Sequence, residues 1–305
     1  MEQLHVTFCS KLRELPELPP TLLHLDCWAC QALEALPSSL TATAVTKLLC
    51  GGCSFRTLPQ LPPSLIELQA GGCRGLLQLP ALPEGLKILH TIYCESLTAL
   101  PELPASLSDL NCSGCRSLEQ LPQLGHTGLT ELNCSDCQLL KELPDMPDSL
   151  EILQAGALPL VTRLPRLPAS SLRELCISGA AISKLPGSLP RLQELSVGGC
   201  EQLQQLPEQL PAGLTFLFYS GCSSLQQLPA QLPPKLAYLY VSGCTALQQL
   251  PELPPTMKEL DVEGSLRQLP DLSKCPMVED LSLEGCDALE NFRVGGLTLR
   301  LRCGA

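Results

Sequence analysis

Eighteen cysteines run through a chain of 305 residues, and some sit at spacings that could hold a metal. Cys27, Cys30, Cys50 and Cys53 read CxxC-x19-CxxC, and Cys112, Cys115, Cys134 and Cys137 read CxxC-x18-CxxC. Paired CxxC motifs at this separation suit tetrahedral zinc, and in an oxidising compartment the same residues could form disulfides. A third reading is that they are buried thiols, small apolar residues with a weak S–H donor. Enzymatic chemistry has less to draw on. There is no GxxxxGK[ST] phosphate loop, no HExxH and no GxSxG elbow. His5, His24 and Asp26 are near neighbours in the pattern, but they lack further convergent partners. Cys176 is the one strand thiol expected to face solvent, with Glu174 and Glu194 beside it to disfavour a thiolate. No catalytic residue, metal or cofactor is assigned.

The cysteine spacing is a by-product of something larger. Aligned on Leu-Pro, the chain resolves into fourteen units of the form LxxLxCxxCxxLxxLPxLPxx. They begin at Met1, Leu22, Val45, Leu65, Leu86, Leu107, Leu129, Leu150, Leu172, Leu192, Leu214, Leu236, Met257 and Val278. A partial strand, LTLRLRC, follows from Leu297. Cysteine takes position 9 in eleven units and position 6 in four, so two adjacent units automatically generate the zinc-like spacing. Positions 6 and 9 also belong to different parts of the coil, which argues against four sulfurs converging. Buried thiols in a reducing compartment are the favoured reading.

Each unit can be read physically. Positions 4 and 6 alternate with mostly polar 3 and 5, which predicts a short strand with 4 and 6 buried. Small residues at 7 and 8 predict the turn out of the strand. Leu-Pro-x-Leu-Pro cannot continue as a helix, because proline fixes φ and lacks an N–H, so an extended, polyproline-like limb is expected. One unit cannot bury its own leucines; stacked units can. Bends are expected where the cysteine column breaks, at Leu158 and Ala180, at the lengthened stretch before Val45, and at Ser265.

The pattern LxxLxLxxN/CxxL identifies the chain as resembling leucine-rich-repeat proteins over essentially its whole length. LxxLP recurs along it, and the LPxLPxxL limb is similar to that of bacterial secreted effectors. Stretches such as LPELPPTLLHLDCWACQALEALP and LSVGGCEQLQQLP also resemble repeats of plant intracellular immune receptors. The resemblance implies an α/β-class leucine-rich-repeat solenoid, or horseshoe. It would have a parallel β-sheet on the concave face, an extended convex limb and little regular helix. It implies one solenoid over residues 1–305 that binds proteins on its concave face, in host–microbe interaction or immune recognition. Cysteine stands where the family usually has asparagine, and the enzymatic and nucleotide-binding domains that accompany such repeats are absent, so those activities do not carry over. Two other functions remain open: the substrate-recognition arm of a ubiquitin ligase or other enzyme encoded elsewhere, and a structural, self-assembling repeat protein.

On the face formed by positions 3 and 5, most residues are small or polar. Phe216, Phe218, Tyr238 and Tyr240 are the exception, a two-by-two aromatic block expected to be exposed and to act as a binding hot spot. Glu174 and Glu194 on one side, and Glu259, Asp261 and Asp280 on the other, would form an acidic rim favouring a basic partner. Ordinary cross-strand pairing is the competing explanation of the block. A weaker patch comprises Ile88, His90, Ile92 and Tyr93. The net charge of -11 disfavours nucleic acid, and no apolar run reaches the ~18 residues of a membrane span. The N-terminal residues lack the features of a signal peptide. Together these point to a cytoplasmic, reducing location, including delivery into a host cell by a bacterial secretion system. Uncapped ends would also allow end-to-end self-association.

Overall fold

A computed structural model describes residues 1–185, 187–264, 266–286, 289 and 300–302. Ser265, residues 297–299 and Cys303, which figure in the sequence reading, lie outside the described residues. The chain divides into two compact units, Met1–Leu150 and Glu151–Ala305.

In the first unit the strands are β1 (Gln3–His5), β2 (His24–Asp26), β3 (Lys47–Leu49), β4 (Glu67–Gln69), β5 (Ile88–His90), β6 (Asp109–Asn111) and β7 (Glu131–Asn133). In the second they are β8 (Ile152–Gln154), β9 (Glu174–Cys176), β10 (Glu194–Ser196), β11 (Phe216–Phe218), β12 (Tyr238–Tyr240), β13 (Glu259–Asp261), β14 (Asp280–Ser282) and β15 (Arg300–Arg302). Within each unit successive strands pair in parallel, and leucine pairs with leucine at the strand centre, as Leu68 with Leu89 and Leu217 with Leu239. Each strand from β1 to β14 occupies positions 3–5 of its repeat. The centre is leucine because its side chain points into the coil, where from Leu25 to Leu281 it is buried; burying each one contributes roughly 1.5–3 kcal/mol.

The limb is extended, as Leu-Pro-x-Leu-Pro requires. It closes in a turn before the next strand: the Leu65 N–H donates to Pro62 O at 3.1 Å, and the Leu236 N–H to Pro233 O at 3.0 Å. Only two 3₁₀ turns interrupt it among the described residues, Ser38–Ala42 and Leu272–Lys274. The first absorbs the extra residues before Val45 and tucks Leu40 into the core. Leu158 and Ala180 stand where the cysteine column breaks. Both side chains are buried, and β8, β9 and β10 keep an unbroken register. An apolar side chain fills the thiol's place, so the pairing need not shift.

One backbone feature repeats in all fourteen coils. Position 8 has positive φ throughout, with glycine in nine coils and Phe8, Ala29, Tyr93, Asp136 and Ala157 in the others. The reason lies in the next coil. The left-handed turn aims the position-8 N–H at the carbonyl of position 7 there, as in Gly52 to Gly71 O (2.8 Å), Ala157 to Ser178 O (2.6 Å) and Gly221 to Ser242 O (2.7 Å). A side chain at this φ costs about 1–2 kcal/mol, which glycine avoids. Gly221→Ala is therefore expected to destabilise by about 1–2 kcal/mol and Ala157→Gly to stabilise by up to about 1 kcal/mol. Opposite shifts of the urea midpoint check both, and a fall in both would remove left-handed strain as the cause.

Candidate functional site

The cysteine column is part of the architecture. From Cys30 onward, each position-9 thiol donates its S–H to the position-6 carbonyl of the coil before it. Examples are Cys53 to Cys27 O (3.2 Å), Cys94 to Ala70 O (3.2 Å), Cys137 to Cys112 O (3.2 Å), Cys222 to Val197 O (3.2 Å) and Cys244 to Tyr219 O (3.2 Å). Cysteine at the family's asparagine position thus still satisfies a buried carbonyl, with a weaker donor. Burial pushes the Cys73 and Cys222 thiols up to about 12, and the Cys115 and Cys244 thiols up to about 11. At pH 7 these thiols are protonated and poor nucleophiles.

Two expectations about the cysteines need correcting. Positions 6 and 9, assigned to separate parts of one coil, meet across coils. Contact with the Cys53 thiol, followed by burial, pushes the Cys27 thiol far up, and Cys137 acts likewise on Cys112. These are pairs of sulfurs; among the described residues no group of three or more His, Cys, Asp or Glu side chains is placed to hold a metal. Second, Cys9 was expected to face inward but is exposed, and its thiol donates to Thr7 O at 3.6 Å. Cys176 is half-buried. Its strand neighbours are Gln154 and Ser196, and the Ser178 hydroxyl lies 3.9 Å from its sulfur, so the carboxylates are not its immediate cross-strand partners.

The outward face of β9–β14 brings the predicted aromatic residues and acids together. Register places position 3 in the row Glu174, Glu194, Phe216, Tyr238, Glu259, Asp280, and position 5 in the row Cys176, Ser196, Phe218, Tyr240, Asp261, Ser282. The four rings form one cluster. Centroids are 6.3 Å apart for Phe216–Tyr238, 5.5 Å for Phe216–Tyr240 and 5.7 Å for Phe218–Tyr240, with planes tilted 43–46°. The rings are half-buried rather than exposed, a correction with two causes. They cover one another, and Phe218 lies on Gly198, where an added Cβ would sit 2.3 Å from its Cε1. Cross-strand pairing and availability to a partner therefore coexist. Burial, with the charge and hydrogen bond of Glu259 beside it, pushes the Tyr240 phenol up to about 12, so at neutral pH the ring is an uncharged donor.

The second patch is more engaged. His90 Nε2 lies 3.0 Å from Asp109 Oδ2 and Ile92 packs over Gly71, so this histidine already has a partner. His5 Nδ1 lies 3.5 Å from Asp26 Oδ2. Tyr93 is about half exposed, at 52%, and holds one of the left-handed positions.

Two features escaped the sequence reading. Tyr219, at position 6 behind the aromatic block, is fully buried with its hydroxyl unpartnered. The third coil is one residue short: Phe55 follows Cys53 by two residues where most coils use three, and it is fully buried in place of the usual leucine. A depression of about 1070 Å³ opens there, lined among others by Glu34, Ser54, Arg56, Arg74, Leu77 and Tyr93. The shortened Cys-to-apolar spacing was the available signal.

A parallel strand per coil, an inward leucine at its centre, a hydrogen-bonded position-9 column and an extended Leu-Pro limb define the class: the fold is a leucine-rich-repeat solenoid. The Leucine Rich Repeat family model matches residues 128–150. Among solved structures the chain is similar to YopM, a leucine-rich effector protein from Yersinia pestis. The two are 28% identical with a TM-score of 0.75, over 100% of this chain and 89% of that one. YopM from Yersinia enterocolitica is 26% identical, with a TM-score of 0.46, over 96% of this chain and 84% of that one. No curated protein matches the sequence. Such a fold is a protein-interaction scaffold. Among the described residues no helix is long and apolar enough to cross a membrane.

Proposed function

We propose that the chain recognises a partner protein on the outward face of its sheet, through Phe216, Phe218, Tyr238 and Tyr240, with Glu174, Glu194, Glu259, Asp261 and Asp280 favouring a basic surface. One observation carries this reading: a ring cluster half open to solvent, set in register between acids on a face that over β9–β14 is otherwise small or polar. Large rings ordered before contact lose little entropy on binding, which is why such residues dominate interface energies. Similarity to a leucine-rich effector protein supports a role in host–microbe interaction, inside a reducing compartment where the thiol column stays reduced.

The test is affinity capture from host-cell extract with the wild-type chain and a variant carrying Phe216→Ser, Phe218→Ser, Tyr238→Ser and Tyr240→Ser, both first shown to share one unfolding curve. A specific protein retained by the wild type is expected to lose at least about tenfold in affinity for the variant, the scale of one hot spot. Equal retention by both proteins would place the binding surface elsewhere, with the depression at the third coil the next to test.

A further inference from the structure

Resting on that reading, we propose that the aromatic block is a seat for one arginine side chain of the partner protein, the guanidinium stacking on a ring while the flanking carboxylates take its N–H groups. Three observations converge. The ring centroids lie 5.5–6.3 Å apart, so a cation placed between two neighbouring rings can lie within the ~6 Å reach of both. With planes tilted 43–46°, the rings do not stack face to face, and part of their π surface stays uncovered.

Charge is the second observation. Positions 3 and 5 of β9–β14 hold five carboxylates and no basic residue. Glu174 pairs with Glu194, and Glu259 with Asp280, directly across neighbouring strands. Like charges so placed destabilise a sheet; Asp280 is also in register with Arg300 of β15, so the carboxylates that carry the argument are Glu194, Glu259 and Asp261, beside the rings. Lys258 and Arg173 are at position 2, on the edge of this surface, and Arg173 is engaged with Glu151 at 3.5 Å.

The third observation is the arrangement of rings and acids. In register, Glu194 borders Phe216, Glu259 borders Tyr238 and Asp261 borders Tyr240. A planar guanidinium can lie on a ring and direct its edge donors sideways into a carboxylate, whereas a compact, strongly hydrated ammonium cannot do both equally well.

Fluorescence anisotropy tests this with the full chain and three fluorescein-labelled nonapeptides alternating glycine with arginine, lysine or citrulline. Citrulline keeps the shape of arginine without the charge. The arginine peptide is expected to bind about tenfold tighter than the citrulline peptide and measurably tighter than the lysine peptide. Tyr238→Leu, which removes one π face and keeps every carboxylate, is expected to weaken the arginine peptide by about two- to fivefold. Glu194→Gln with Asp261→Asn is expected to narrow the arginine-to-citrulline ratio. Absence of binding by the arginine peptide, equal binding of arginine and lysine peptides, or a Tyr238→Leu protein that binds as well as wild type would each overturn the seat. If the four-serine variant loses its captured protein while the peptides fail in one of these ways, the binding surface stands and the arginine seat alone falls.

Discussion

Tyr219→Ala is expected to lower the free energy of unfolding by about 3–5 kcal/mol, whereas Tyr219→Phe is expected to raise it by about 1–3 kcal/mol. Tyr219 is among the largest fully buried side chains, and it fills a position that other coils give to cysteine, alanine, threonine, valine, isoleucine or leucine. Truncation would leave a void the size of a ring, and a packed coil collapses only partly into such a space. The hydroxyl is a separate matter. It is buried without a partner, so it has lost its hydration and gained nothing in exchange; removing it while keeping the ring removes only a cost. Burial also pushes the phenol far up, so ionisation offers no way out at ordinary pH. Urea titrations of the two variants decide the issue. A Tyr219→Phe protein less stable than wild type would mean that the hydroxyl has a partner in solution.

The second large effect is expected at Gly51. A Cβ there would lie 2.4 Å from Gly71 O and 2.4 Å from Trp28 Cζ3. The carbonyl is close because it accepts the Gly52 N–H at 2.8 Å, so it cannot retreat without breaking the bond between coils. Gly51→Ala should therefore cost about 1–3 kcal/mol, as overpacking of a fixed interior does. A second substitution separates the two clashes. Trp28→Leu in the Gly51→Ala background removes the ring but leaves the carbonyl, and should recover only part of the loss. Full recovery would assign the whole effect to the ring, and an unchanged midpoint in Gly51→Ala itself would show that the turns can separate freely.

What was legible in the sequence depends on how local the physics is. The period, the strands at positions 3–5 and the inward leucines follow from alternation and from proline, both of which act within one coil. The aromatic rows and their acidic neighbours followed as well, because the strand falls at the same positions of every repeat and length differences are taken up in the turn and limb. What was missed depends on contacts between coils. Cys9 resembles every other position-9 cysteine in sequence, yet its thiol bonds Thr7 O within its own coil. Positive φ at Phe8 and Tyr93 is hidden by the side chains, although glycine in nine of fourteen coils marks the column. The aromatic block was placed correctly, but its half-burial was not foreseen, because Gly198, on the turn leaving β10, gives no sign in the sequence that it is the surface under Phe218.

The sulfur column also makes the protein its own spectroscopic probe. The S–H stretch falls in an infrared window that amide groups leave almost empty, and its frequency drops as the thiol donates more strongly. With Cys30 2.8 Å from Val6 O and Cys286 3.6 Å from Val262 O, the bonds along the column differ in length, so their bands should spread rather than coincide. Each band reports one junction between two neighbouring coils, with no label attached. Local opening at a junction that carries such a thiol would appear as a shift and a faster exchange to deuterium there, turning a row of unreactive side chains into a record of the protein's breathing along the column.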